Sequence, residues 1–280
     1  MNCLLKIAYR GTAFSGYQRQ PGLTTVQGVL EEQLREIFQE EVETSASGRT
    51  DRGVHATGQV VYFKSTALRP LKGIVEALNG KLSGTVVVLQ AAHLPDNDPF
   101  HPRFSAVSRT YHYRLLSGCS LEQALHWSSN YWCVGYSLES AVLQRACDAF
   151  LGTHDFSTFA ARSSVPTHIR TISSFKVTSE NAPLPGISAW TLEVTAGSFL
   201  RKMVRLMVGA VMEVGVGHLS VSDLISKLDA RDPSRSPHPA PPEGLYFAFP
   251  TYKKDPFTLG EGALEVYTAR PHCGVRLKPR

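Results

Sequence analysis

Two consecutive segments in the second half of the chain constrain the fold most strongly. Residues 169–179 (IRTISSFKVTS) and 187–196 (ISAWTLEVTA) alternate apolar and polar side chains, as strands with one buried face do. Strands that follow each other directly favour antiparallel pairing over the strict β-α-β alternation of a doubly wound parallel sheet. We therefore predict an α+β fold.

The rest of the sequence predicts further strands and helices, which do not alternate strictly along the chain. Strands are predicted at 3–9, 58–63, 85–90, 109–116 and 245–249, and helices at 24–41, 71–78, 137–151, 199–214 and 220–230. Thr24 or Thr25 is placed to cap the first helix. Ser137 and Gly152 are placed to begin and end the third helix.

Composition bounds the class of protein. The 280 residues are 42% hydrophobic and 19% charged, which is enough for an ordinary core and excludes a disordered chain. No apolar run approaches the ~20 residues of a membrane span, and residues 1–10 lack the pattern of a secretory signal. The five cysteines include no C-x-x-C spacing, so we expect reduced thiols in a cytoplasmic protein rather than a zinc or redox site.

The net charge of +5 is too small to identify a partner. Residues 253–280 carry +3 of it, which leaves only +2 on the rest of the chain. A basic balance is typical of proteins that bind nucleic acid, but such a site has to be located from local patterns.

The segment SGRTDRGVHA, residues 47–56, is the first candidate site. It places two arginines, an aspartate and a histidine within seven residues, beside glycines that permit tight backbone turns. A solvated surface turn has the same composition. The position of Asp51 shortly before a strand is nevertheless well suited to site chemistry.

The helix predicted at 199–214 is the second candidate site. Apolar residues cover nearly all of its faces, which is typical of a buried helix, yet Arg205 lies among them. A buried guanidinium needs a carboxylate partner, and we predict that Asp51 supplies it. The alternative is that Arg205 extends along the helix to solvent.

Two further segments combine polar and aromatic residues. In residues 103–114, three basic residues (Arg103, Arg109 and Arg114) interleave with three aromatic ones (Phe104, Tyr111 and Tyr113), which suits phosphate contact and base stacking. An amphipathic strand whose tyrosines fill the core has the same pattern. His154 and Asp155 could form an acid–base pair, although a turn that ends a helix is the simpler interpretation. The motifs of phosphate-binding loops, dinucleotide folds and metal sites are missing, so we expect neither cofactor nor metal.

These segments match a known family. Gly48-Arg49-Thr50-Asp51-Arg52-Gly53-Val54-His55-Ala56 resembles the active-site motif of the TruA-type tRNA pseudouridine synthases. The resemblance covers residues 3–252, and its other landmarks are FSGYQRQ, RFSA, RTYHY, GTHDF, FLRKMVR and PEGLY, in that order. One departure is Tyr17, which stands where the family more often has tryptophan.

The resemblance implies an architecture and partners. It implies two α+β halves, residues 1–104 and 105–252, each similar to a ferredoxin-like or RNA-recognition module. The halves would share one mixed, mainly antiparallel sheet with helices on one side and an RNA-binding cleft, while the role of residues 253–280 stays open. It also implies a cytoplasmic homodimer that binds tRNA and uses neither a metal nor a membrane.

The resemblance further implies the reaction and the residues that carry it. The reaction is isomerisation of uridine to pseudouridine at positions 38, 39 and 40 of the tRNA anticodon stem-loop, with Asp51 as nucleophile or base and the target base flipped out of the stack. The residues implied to bind the target uridine are Tyr111, Arg49, Arg205 and Leu245, and those expected to contact the RNA are Gln18, Arg19, Arg52, His55, Arg109, Arg201 and Lys202.

The alternative function is a catalytically inactive tRNA-binding or chaperone protein on the same scaffold. The presence of Asp51, Tyr111 and Arg205 together favours the enzyme.

Overall fold

The computed structural model describes residues 1–82, 84–161, 166–182, 186–260 and 263–269. Its strands are β1 (Asn2–Tyr9), β2 (Thr44–Ala46), β3 (His55–Lys64), β4 (Val86–Leu94), β5 (Ala106–Ser117), β6 (Trp132–Val134), β7 (Gly152–Asp155), β8 (Ile169–Asn181), β9 (Ser188–Ala196), β10 (Leu245–Tyr252) and β11 (Glu265–Thr268). Its α-helices are α1 (Val26–Phe38), α2 (Leu71–Lys81), α3 (Leu121–Trp127), α4 (Ser140–Asp148), α5 (Met203–Gly215) and α6 (Val221–Asp229).

These strands form one sheet. Their order across it is β11-β4-β1-β3-β10-β5-β9-β8-β7, with β2 paired to β3 and β6 paired to β5. Among the described strands, only the β10–β3 and β5–β6 pairs are parallel. The alternating segments 169–179 and 187–196 are β8 and β9, which pair antiparallel. The predicted mixed, mainly antiparallel sheet is confirmed.

The two halves of the sheet repeat one topology. In the first half, β1-α1-β2-β3-α2-β4 gives the spatial order β4-β1-β3-β2, and in the second, β5-α4-β8-β9-α5-β10 gives β10-β5-β9-β8. Both are the ferredoxin-like arrangement. The halves join where β10 lies parallel to β3, with Tyr246 opposite His55 and Phe247 opposite Ala56.

Five of the described helices pack against one face of the sheet, in two hydrophobic clusters. Leu5 and Ile7 of β1 lie in a cluster with α1 and α2, while Leu192 and Val194 of β9 lie in a cluster with α4, α5 and α6. Tyr111 contacts both clusters and therefore marks the boundary between them. The short helix α3 instead contributes to a cluster on the opposite face.

All five predicted helices are present, but some of their predicted ends are wrong. Thr25 caps α1 as expected, since its Oγ1 accepts a hydrogen bond from the amide of Gly28. Helix α4 begins at Ser140 without a side-chain cap and ends at Asp148, so the predictions of Ser137 as its cap and of Gly152 as its end are wrong, and Gly152 instead begins β7. Helix α5 begins only after Lys202, because that residue has φ of 60°, a left-handed conformation that a helix cannot continue.

Part of the C-terminal tail belongs to the sheet. β11 pairs antiparallel with β4, on the side of β4 that faces away from β1. Ala263 packs with Leu4, Val60 and Leu94 on the face of the sheet that the five helices leave open. This segment lies beyond the region covered by the resemblance. Residues 261–262 and 270–280 of the predicted tail, including Cys273, lie outside the described residues.

Candidate active site

The segment 47–54 connects β2 to β3, and Gln59 of β3 anchors its start. Gln59 Oε1 accepts from Ser47 Oγ at 2.5 Å, and Gln59 Nε2 donates to the carbonyl of Gly48 at 2.6 Å. Gly48 lies against the ring of Phe247, so closely that an added Cβ would be 2.9 Å from a ring carbon. A side chain at position 48 would therefore displace the segment or the ring.

Thr50 fixes the backbone directly before Asp51. Its hydroxyl lies 2.8 Å from the hydroxyl of Tyr9, and its carbonyl accepts from the amide of Tyr17 at 3.1 Å. After Asp51, the amide of Val54 donates to the Asp51 carbonyl at 3.1 Å and closes a turn. Both sides of the aspartate are thus held by groups inside the fold.

The Asp51 carboxylate is half-buried and available. Within the described ranges, no hydrogen bond or ion pair engages its oxygens. It lies close enough to Tyr111 to act on it electrostatically: burial raises the pKa of Tyr111 most, and Tyr9 and the charge of Asp51 raise it further. The Tyr111 hydroxyl therefore keeps its proton at neutral pH.

Tyr111 lies on β5 between two aromatic rings. It stands opposite Phe247 of β10, and it packs edge-on against both Phe247 and Phe199, each at a centroid distance of 5.2 Å. Leu245, two residues before Phe247 on the same strand, is buried and stands opposite Tyr113. Tyr113 itself is fully buried, so the interpretation of this tyrosine as a core residue is confirmed.

The predicted ion pair between Asp51 and Arg205 is not formed; no such pair within 4.0 Å occurs in the described part of the chain. Arg205 is half-buried, and its Nε donates instead to the carbonyl of Ala240 at 2.7 Å, while the Ala240 amide donates back to the Arg205 carbonyl at 2.9 Å. Because a backbone carbonyl and partial exposure accommodate the charge, no carboxylate is required.

This geometry coincides with a family match. The model of the family described as tRNA pseudouridine synthase matches residues 6–105 and 146–253, which include Asp51, Arg205 and Leu245. The chain belongs to this family.

Three similar proteins carry the name tRNA pseudouridine synthase A. The protein of Halalkalibacterium halodurans is 40% identical over 86% of this chain and 89% of its own length. That of Caldicellulosiruptor bescii is 35% identical over 90% and 99%, and that of Thermotoga neapolitana is 37% identical over 86% and 95%. The similarity therefore extends over most of this chain and nearly the whole length of each relative.

The residues predicted to contact RNA in this pseudouridine synthase divide into two groups. Most are exposed, as an RNA contact requires; they are Gln18, Arg19, Arg52, Arg201 and Lys202, and the implied uridine-binding residue Arg49 is exposed as well. Among them, Arg19 forms an ion pair with Glu31 at 2.7 Å. Glu31 therefore pairs with Arg19 rather than with Arg35 one helical turn away.

His55 does not fit the predicted RNA contact. It is only 1% exposed, its Nδ1 accepts from the amide of Gly11 at 3.2 Å, and its ring stacks on Tyr246 at 4.6 Å. Burial lowers the pKa of His55 to about 4, so the imidazole is neutral. Its position at the start of β3, between the two halves of the sheet, makes it a packing residue.

The Arg109 side chain is also engaged by groups within the protein. It is half-buried, and its guanidinium donates to the carbonyls of Gly197 at 2.6 Å, Ala106 at 3.3 Å and Arg103. Burial lowers its pKa. The three carbonyls use hydrogen-bond donors that an RNA phosphate would otherwise take.

His154 and Asp155 belong to β7, and Asp155 stabilises a turn. Its Oδ1 accepts from the amide of Ser157 at 2.9 Å and from the Ser157 hydroxyl at 2.6 Å, and these bonds lower the pKa of Asp155. The interpretation of this segment as structural is therefore supported, although its residues form a strand and not the predicted turn that ends a helix.

Two further observations concern metal sites and membrane spans. In the described portion of the chain, no cluster of three or more His, Cys, Asp or Glu residues could hold a metal ion. No described helix is long and apolar enough to cross a bilayer.

Proposed function

We propose that this pseudouridine synthase isomerises uridine at positions 38, 39 and 40 in the anticodon stem-loop of tRNA, with Asp51 as the catalytic residue. The observation that carries the proposal is the half-buried carboxylate of Asp51, which has no partner in the described ranges and lies near the protonated hydroxyl of Tyr111. A carboxylate in such a position is free to attack or to accept a proton.

The reaction is balanced within the substrate. The N1–C1′ bond of uridine breaks, the uracil rotates, a C5–C1′ bond forms, the proton on C5 leaves, and N1 ends protonated. Positive charge that develops at C1′ is stabilised by a neighbouring carboxylate, as in glycoside cleavage. We assign this carboxylate to Asp51, and we assign a proton relay to the Tyr111 hydroxyl.

The target base has to leave the stack before it can reach Asp51. Flipping a base costs a few kcal/mol, and stacking on an aromatic side chain returns about 1–3 kcal/mol. We assign the stacking face to Tyr111 and the apolar wall to Leu245, with the exposed Arg49 displacing the base. Arg205 uses only its Nε within the described residues, so its terminal nitrogens are available to the substrate.

Three further features are part of the proposal. The chain works as a homodimer in the cytoplasm, residues 1–104 and 105–252 act as the two halves of the cleft, and the exposed basic residues contact the tRNA. They are supported by the family membership and by the repeated ferredoxin-like topology.

The test uses unmodified tRNA transcripts that carry uridine at one of the three positions and cytidine at the other two. Pseudouridine is mapped by carbodiimide-dependent primer-extension stops after incubation with the protein. We expect a stop at each of the three uridines and none elsewhere. Stops outside the anticodon arm would contradict the assigned substrate, and tRNA binding without any stop would favour the inactive RNA-binding alternative.

A further inference from the structure

The loop that precedes β5 presents a large aromatic side chain to solvent. Phe104 is 77% exposed, and its neighbour Arg103 is exposed as well. Neither residue has a role in the reaction proposed above. An exposed phenylalanine of this kind is either incidental or part of a binding surface.

The backbone of this loop is anchored to the fold by several contacts. The ring of Phe100 packs on Tyr252 at 5.0 Å, and the Tyr252 hydroxyl donates to the carbonyl of Pro102 at 2.9 Å. His101 Nδ1 accepts from the Phe104 amide at 3.3 Å. A loop backbone that is anchored before binding loses less entropy when a ligand stacks on its side chain.

The immediate neighbours of the ring suit a nucleotide. The imidazole of His101 lies 4.4 Å from the Phe104 ring centre, and the guanidinium of Arg103 lies 5.7 Å from it. Burial and the charge of Arg103 lower the pKa of His101, so Arg103 is the cation of the group. An aromatic face next to a cation offers a base its stacking partner and a phosphate its counter-charge.

Arg109 links this loop to the wall of the active site. Its guanidinium donates both to the carbonyl of Arg103 and to the carbonyl of Gly197, two residues before Phe199. Phe199 is one of the rings that hold Tyr111. Phe104 and Tyr111 are seven positions apart, which at the rise of an extended chain is at most roughly 23 Å.

We propose that Phe104, with His101 and Arg103, forms a platform on which an unpaired base of the tRNA substrate stacks, away from the base that enters the active site. The proposal rests on the proposed function, since it assigns a second contact to the same RNA. A single aromatic ring beside a cation favours a nucleobase over a protein partner, whose binding surface would require a larger contiguous apolar patch.

The test compares Phe104→Ala, Phe104→Trp and the control Leu68→Ala, which truncates a similarly exposed side chain (78%) in another loop. With an unmodified tRNA transcript, Phe104→Ala is expected to raise Kd roughly 5- to 150-fold, which corresponds to the loss of about 1–3 kcal/mol of stacking. Phe104→Trp and Leu68→Ala should bind like the wild type. The single-turnover rate at saturating tRNA should be unchanged in all three variants.

The outcomes separate the platform from the proposed function. If the wild type binds and modifies tRNA and Phe104→Ala binds equally well, the platform is wrong while the function stands. If Phe104→Ala instead changes the sedimentation of the free protein, the ring belongs to a protein interface and the platform is also overturned. If the wild type neither binds nor modifies tRNA, the proposed function itself fails.

Discussion

The hydroxyl of Tyr9 lies 2.8 Å from Oγ1 of Thr50, and both side chains are buried behind the segment that carries Asp51. Tyr9 ends β1 in the first half of the sheet, and it also contributes to the raised pKa of Tyr111 in the second half. Tyr9 therefore contacts the segment that carries Asp51 and also lies near Tyr111.

Tyr9→Phe removes this hydrogen bond but keeps the ring. We expect a loss of about 1 kcal/mol in the free energy of unfolding and a lower kcat, because the Asp51 backbone is less firmly held. A double-mutant cycle with Thr50→Val, measured by denaturant unfolding, checks the origin of the effect. Strictly additive effects of the two substitutions would show that the hydroxyls do not act together.

Gly11→Ala tests how closely the early loop approaches the catalytic segment. A Cβ at Gly11 would lie 2.0 Å from the carbonyl oxygen of Val54, so this substitution should destabilise the protein severely. Gly73 of α2 is the matched control, since a Cβ there meets nothing within 4 Å. Gly73→Ala should stabilise the protein by about 0.5–1 kcal/mol. Thermal unfolding compares the two variants, and equal effects would refute the close approach.

Because His55 is buried as a neutral ring, we expect the free energy of unfolding to depend on pH. Its pKa is about 4 in the folded protein against an ordinary value of 6.5, because burial disfavours the charged ring. Between these values the unfolded chain binds a proton that the folded chain does not, so stability falls as the pH drops from 6.5 towards 4. Unfolding in urea across this range should show a smaller slope in His55→Asn.

The exposed His126 of α3 provides the control for that measurement. His126→Asn should leave the dependence of stability on pH unchanged. If His55→Asn keeps the wild-type slope, another group is responsible and the neutral, buried imidazole is not the cause.

We expect the C-terminal segment that contains β11 to stabilise the fold. Deletion of residues 254–280 removes β11 from the edge of β4 and uncovers the cluster that contains Leu4 and Val60. We expect a lower Tm and a tendency to aggregate, because an open strand edge and apolar surface become accessible. An unchanged Tm would mean that the pairing of β11 contributes nothing to the fold.

The sequence predicted most of the fold because its elements have strong periodic patterns. The two alternating segments identified β8 and β9, and Thr25 identified the start of α1. The short strands β2, β6 and β7 and the helix α3 were missed, since three to seven residues are too few for a period to be recognised. β11 was missed for the same reason, since it has only four residues.

The sequence indicated the candidate site less completely than the fold. The loop composition indicated Asp51, whereas the role of Tyr111 was implied only by the family resemblance, because the strand pattern alone is equally typical of a core tyrosine. The charge of Asp51 contributes to the raised pKa of Tyr111, so the two side chains lie within electrostatic reach. The partner of Arg205 was wrong, because a sequence cannot show that a distant carbonyl, that of Ala240, lies nearer than the carboxylate. No local sequence pattern indicates that the Tyr9 hydroxyl contacts Thr50, since a tyrosine at the end of a strand is common in any core.

Asp51→Asn provides the most direct measurement of the central claim. Tritium release from tRNA that contains 5-³H-uridine reports loss of the C5 proton, and a filter-binding titration reports affinity for the same RNA. We expect no release above background, with Kd within a few-fold of the wild type, while the control Asp96→Asn, which removes an exposed carboxylate in another loop, keeps the wild-type rate. Tritium release by Asp51→Asn at the wild-type rate would show that the Asp51 carboxylate does not carry the reaction.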